Sequence, residues 1–297
     1  MFQSESSVDE DEESGQGSDE TGGRHTGQKD DWDLAIRFRD IQRYGYLDPK
    51  EKRDMGEKAV KSVIERARQS LGPVQKPYRY QWMNAIEVAG LQGRNIQIEL
   101  DVEETLLEQI GAAGRETHPR YQVRTEKDHG LVLLLDTSLS MKGEKLALLG
   151  VTVAAVCESV PSEALCVLGF DSQIHVIKDF EETVSLEDAV GRTLSIPPGG
   201  FTHIELGLRE ARQRIENSKH PRARVILVSD GRYTEGAHPL DEARKLGVVF
   251  PVKIGKDPGG RTVMKELGDS GIGRFSEVRE MTELPGFLLR AVRDWVR

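Results

Sequence analysis

The sequence predicts an α/β protein: a doubly wound, mostly parallel central sheet flanked by helices, preceded by a helical N-terminal extension. Three observations carry that expectation. Short apolar runs such as Leu131–Leu135 and Val225–Ser229 suit strands buried on both faces of a sheet. Segments of helical length and periodicity separate them. The two kinds of segment alternate from residue 130 onward.

Composition bounds the class. The chain of 297 residues is 37% hydrophobic and 31% charged, which suits a globular protein with a polar tail. The net charge of -9 is unevenly placed: residues 1–30 hold nine acids against Arg24 and Lys29. Residues 1–31, rich in Gly, Ser and acids, are expected to form a disordered acidic tail. No basic stripe offsets the acidity, so nucleic-acid binding is disfavoured. The longest nearly apolar run, Leu146 to Cys157, is too short to span a bilayer, and the N-terminus does not resemble a signal peptide. No membrane association is therefore expected, and the cytoplasm is the default location. Cys157 and Cys166 fall in an expected helix and an expected strand, and read as buried thiols rather than a bridge.

Residues 32–127 read as a mainly helical extension packed on the rest of the chain. Its first long helix opens at Asp48-Pro49, the acid as N-cap and the proline in the first turn, and stops at Gly72-Pro73. Val60, Val63, Ile64 and Ala67 give it an apolar stripe. Ile96–Leu100 alternates as a strand, and Asp101 caps a short helix through Leu106, Leu107 and Ile110. The principal domain is expected over 128–297. It begins with the strand at Leu131–Leu135 and a helix from about Gly143 to Ser159 that is apolar nearly all round, hence buried. Ala164–Phe170 and Ile174–Phe180 suggest a hairpin with an antiparallel edge strand, turned at Asp171-Ser172-Gln173. Helices are expected at Leu186–Leu194, His203–Asn217, Pro239–Leu246, Val263–Leu267 and Leu284–Val296, with strands at Val225–Ser229, Val248–Ile254 and Arg274–Val278.

Ligands of such sheets sit outside the carboxyl ends of the strands. Three loops there carry oxygen-rich residues: Asp136-Thr137-Ser138-Leu139-Ser140, Gly199-Gly200-Phe201-Thr202 and Ser229-Asp230-Gly231. With no His or Cys among them beyond His203 alongside, this set favours a hard cation, Mg²⁺ or Mn²⁺, over zinc. Taken singly, each part has a plainer reading. A serine after a strand is commonly a helix cap, Asp171 a turn former, and His175 and His203 surface residues. The loop from Lys256 to Arg261 has no phosphate-binding motif, and no GxxxxGK[ST] or Gly-x-Ser-x-Gly occurs. A phosphoryl-transferring aspartate of the haloacid dehalogenase type wants a second aspartate where Ser138 stands. An enzyme is therefore not expected.

Asp136-x-Ser138-x-Ser140, then Thr202, then Asp230, resembles the metal-ion-dependent adhesion site of von Willebrand factor A (vWA) domains. The resemblance implies that Ser138 and Ser140 ligate the metal directly and that Thr202 joins when the site is engaged. Asp136 and Asp230 then act through hydrogen bonds or metal-bound water, one of them sometimes directly. Two departures stand out: Leu139 where the family often has glycine, and Phe201 interrupting the family's Gly-Gly-Thr. The run Leu131 to Lys145, LVLLLDTSLSMKGEK, with the preceding Asp101–Ile110 segment, is similar to CoxE-like proteins that work alongside MoxR-type AAA+ ATPases. That resemblance implies an adaptor coupling a MoxR-type ATPase to maturation of a client, often by metal or cofactor insertion. The alternative is a stand-alone metal-dependent scaffold.

Overall fold

The computed structural model describes residues 31–38, 40, 47–71, 78–89, 96–111, 118–126, 130–197, 199–271 and 273–296. Residues 1–30 of the expected acidic tail and the Gly72-Pro73 helix stop lie outside these residues, while Asp31, expected to end that tail, opens the first helix. The N-terminal part comprises α1 (31–38), α2 (Pro49–Leu71), β1 (Tyr78–Asn84), α3 (Ala85–Ala89), β2 (Ile96–Leu100), α4 (Val102–Gly111) and β3 (Arg120–Glu126). The start of α2 is closed by the Asp48 N–H donating to the Glu51 carboxylate. As expected, Asp101 caps α4, its Oδ1 accepting the Glu104 N–H at 3.0 Å.

Of the helices of this part, α2 and α4 were expected, whereas α1, α3 and two of the strands were not. β1 and β2 both pair antiparallel with β3 in a three-stranded sheet of order β1-β3-β2. Only β2 stood out in the sequence. β1 does carry a period-two signal, Tyr78, Tyr80 and Trp82, and β3 another, Tyr121, Val123 and Thr125. Their polar alternates, largely Arg and Gln, hid both beside the apolar runs farther on.

The remaining elements are β4 (Leu131–Asp136), α5 (Glu144–Ser159), β5 (Leu165–Phe170), β6 (Ile174–Lys178), α6 (Leu186–Leu194), α7 (Ile204–Glu216), β7 (Arg224–Ser229), α8 (Leu240–Leu246), β8 (Val249–Ile254), α9 (Arg261–Asp269), β9 (Ser276–Val278) and α10 (Leu284–Val296). They build a six-stranded sheet of order β6-β5-β4-β7-β8-β9. Every pair is parallel except β5 with β6, the expected antiparallel edge hairpin. The doubly wound α/β expectation holds.

Strand alternation splits the core into two layers. Leu131, Leu133 and Leu135 pack with Leu146, Leu149 and Val153 of α5 and with Leu284, Leu288 and Val292 of α10. Val132 and Leu134 face the other way, onto Ile204, Leu208 and Ala211 of α7 and Met264 and Leu267 of α9. Because α5 is buried all round, its far side needs a cover, and α2 supplies it. Ala59, Val63, Ile64 and Ala67 cluster with Ala147, Val151 and Ala154 of α5, Val190 and Leu194 of α6, and Ala35 and Phe38 of α1. Both cysteines are free thiols, and burial pushes Cys157 up to about 11 and Cys166 up to about 12. Among the described residues, no helix is long and apolar enough to cross a membrane.

Candidate metal centre

The strand order reverses at β4 and β7, so the crevice at their carboxyl ends is the switch point where ligands of such sheets sit. Asp136 ends β4 with no exposed surface. Its Oδ1 accepts the Ser138 N–H at 3.0 Å, and its Oδ2 accepts the Ser229 hydroxyl at 2.6 Å. Burial pushes its carboxyl up to about 6, against the pull of those hydrogen bonds, and the charge of Asp230 adds to the rise.

The hydroxyls converge from two loops. Ser138 Oγ lies 3.1 Å from Ser140 Oγ and accepts the Thr202 hydroxyl at 3.0 Å. Ser138 precedes a 3₁₀ turn, Leu139–Met141, yet makes no side-chain cap bond, so the plainer capping role does not account for it. Ser138 and Thr202 are buried while Ser140 is exposed, so the cluster opens to solvent on one side. Asp230 closes the third loop, its Oδ1 accepting the Arg232 N–H at 2.9 Å. The five residues expected to form the site thus lie on three loops that share the switch point.

These loops are held by contacts that the sequence did not disclose. Ser229 bridges Asp136 Oδ2 and the Gly231 N–H, the latter at 3.0 Å. Thr202 exchanges bonds with Thr234: its N–H donates to Thr234 Oγ1 at 3.0 Å and its carbonyl accepts the Thr234 N–H at 2.9 Å. Ser172 accepts the Phe201 N–H at 2.9 Å and donates to Glu235 at 2.5 Å. Gly231 has φ of 79°, and a Cβ there would sit 2.5 Å from the Gly260 carbonyl oxygen, so the Asp230 loop rests on the loop before α9. Arg232 pairs with Asp257 of that same loop. The segment Lys256 to Arg261 is therefore a brace for the third site loop.

Two expectations about histidines are corrected. His175 is not a surface residue: its side chain is 17% exposed, and its Nε2 lies 3.0 Å from Asp171 Oδ2. Asp171 is a turn former as expected, accepting the Gln173 N–H at 2.7 Å, but it also holds this imidazole. His203, 16% exposed, is packed against Gly236, 3.6 Å from Glu205. Both are half-buried, His175 against Asp171 and His203 against Gly236, contacts that strand and helix periodicity does not report.

The donor chemistry fits a divalent cation. Among the described residues, no three His, Cys, Asp or Glu side chains converge on a metal-sized site. The switch point instead offers neutral hydroxyls beside two aspartates, one of them with its ionised form disfavoured by burial, and a hard cation relieves that cost.

The sheet order and the loops at its switch point define a von Willebrand factor A-type domain. The chain belongs to the family of vWA-domain-containing CoxE-like proteins, whose model matches residues 87–246. The match begins in α3 and takes in β2, α4 and β3 as well as the site. An uncharacterized protein of Pseudomonas aeruginosa is 31% identical over 129 residues, 40% of this chain and 21% of that protein. The chain therefore spans about a fifth of the length of this curated relative. Among solved structures, a von Willebrand factor type A protein from Catenulispora acidiphila aligns at 14% identity and a TM-score of 0.48, covering 75% of this chain and 50% of that one. Proximal thread matrix protein 1 of the mussel byssus, with a zinc-occupied adhesion motif, aligns at 24% identity and 0.45, covering 56% and 47%. The manganese-loaded TRAP protein of Plasmodium vivax aligns at 15% and 0.45, covering 57% and 74%.

Proposed function

We propose that Asp136, Ser138, Ser140, Thr202 and Asp230 hold a divalent cation, Mg²⁺ or Mn²⁺, and that the site clamps a carboxylate of a partner protein. The observation that carries this reading is the Ser138 hydroxyl meeting those of Ser140 and Thr202 at 3.1 and 3.0 Å, beside a buried carboxylate and a second aspartate. Two aspartates balance the ion and the remaining protein donors are neutral, so the bound ion offers a partner's carboxylate a charge-assisted contact. The chain's residues do the rest. Ser229 and the Ser138 N–H orient Asp136, Thr234 fixes Thr202, and Gly231 seated on Gly260 sets the height of Asp230. The hydroxyl bonded to Asp136, that of Ser229, is fully buried and so is not presented to a substrate, which supports binding rather than catalysis.

Membership of the CoxE-like family supports a finer reading: the partner is a MoxR-type AAA+ ATPase or its client, and the chain is an adaptor in client maturation. The test is a pull-down from native extract with the full chain and with Asp136→Ala, each in Mg²⁺ and in EDTA. The expected result is an AAA+ ATPase retained only by the unmodified chain with metal. Retention of the same ATPase by Asp136→Ala in EDTA contradicts the metal-dependent clamp. Metal-dependent retention of other proteins without any ATPase favours a stand-alone scaffold.

A further inference from the structure

The surface around the metal donors is not uniformly polar. Among the described residues from 130 onward, only Leu139, Val176 and Phe201 are large apolar side chains left exposed. Two of these three adjoin the donors. Leu139, 55% exposed, stands between Ser138 and Ser140, and Phe201, 65% exposed, stands directly before Thr202. Neither is a frayed position. Leu139 opens the 3₁₀ turn of the first loop and its N–H lies 3.5 Å from the Gly200 carbonyl, joining the first loop to the second. The Phe201 backbone is pinned by Ser172, itself held by Glu235, while Thr234 pins the next residue. The loops are thus fixed in a form that leaves both apolar side chains in solvent. An exposed apolar pair on a fixed frame marks a contact surface.

The charges beside the pair favour an acidic occupant. Lys145 donates from Nζ to the Ser140 carbonyl at 3.0 Å, and Lys142 is exposed one turn away. Among the acids of these loops, Asp171 is held by His175 and the Gln173 N–H, Glu235 by Ser172 and Asp257 by Arg232, which leaves exposed Glu144 against the two lysines.

We propose that the site recognises a carboxylate with a bulky apolar neighbour, Phe201 and Leu139 forming the apolar half of the footprint. This rests on the metal-clamp reading and specifies its partner. A lone acid anchors to the metal, while the adjacent side chain covers Phe201 and Leu139 and excludes water from the anchoring contact, as rims around interface hot spots do. Selectivity among acidic surfaces then comes from the apolar contact.

The test pans a surface-displayed library of short peptides, with a fixed central Glu and randomised flanks, on the full chain in Mg²⁺ and in EDTA. The expected result is about tenfold enrichment of Leu, Ile, Met or Phe over Ser and Gly beside the Glu, in Mg²⁺ only. In Phe201→Ser and Leu139→Ser the enrichment falls to about onefold, while manganese uptake, read by its paramagnetic resonance signal, is unchanged. Glu-containing peptides selected in Mg²⁺ without apolar flanks overturn the proposal and leave the clamp standing, as does an apolar preference that survives both substitutions. Manganese uptake with no peptide selected overturns both the proposal and the carboxylate clamp, and no manganese uptake overturns the metal assignment beneath them.

Discussion

Asp136 is fully buried, and burial lifts its carboxyl from the ordinary 3.8 to about 6. The folded chain therefore binds this proton more tightly than the unfolded chain does. The stability this group contributes is fully present below about pH 4 and is lost as pH rises through about 6. A two-unit rise corresponds to about 3 kcal/mol. Asp136→Asn removes the ionisable group. In EDTA, the stability of the unmodified chain relative to this variant should therefore fall by up to about 3 kcal/mol between about pH 4 and pH 7. Urea unfolding of both proteins across that range measures it. Magnesium at neutral pH should restore the unmodified chain and not the variant, because the cation replaces the proton as the neutralising charge. A difference that stays flat with pH and metal would mean that Asp136 is not the strained carboxylate described. At this scale the candidate donors were readable because Asp136, Ser138, Ser140 and Asp230 closely follow apolar strands, while Thr202 stands just ahead of a helix. The residues that hold them were not. Ser229 meets Asp136 across 93 residues of chain and Ser172 meets Glu235 across 63, and no local pattern reports such contacts.

At the scale of elements, most of the sheet and its helices could be read from the sequence, with boundaries shifted by a residue or two. Strands buried on both faces are continuous apolar runs, and α5 declares its burial by being apolar all round. β1 and β3 escaped because a small sheet with polar alternates lacks that contrast. What α5 packs against on its far side is the more consequential point. Its Ala147, Val151 and Ala154 face Ala59, Val63 and Ala67 of α2, so the helix ahead of the principal domain completes that domain's core. A fragment starting at residue 128 should expose these side chains together with Val190 and Leu194. We expect it to aggregate, or to melt at least about 10 °C below the full chain, since burial of several apolar side chains is worth about 1.5–3 kcal/mol each. Scanning calorimetry with light scattering decides this. A fragment as stable and monomeric as the full chain would show that α2 is dispensable.

At the scale of the molecule, the family match from residue 87 to 246 joins the small sheet to the site-bearing part of the larger one. It reaches three loops that meet at the point where the strand order reverses, where the proposed metal clamp lies. The most direct test is titration of Mn²⁺ into the full chain and into Asp136→Ala, following the free ion by its paramagnetic resonance signal. The account predicts uptake by the unmodified chain that Mg²⁺ displaces, at least tenfold weaker in the variant, with unchanged circular dichroism. Equal uptake by both proteins, or none by the unmodified chain, would contradict it.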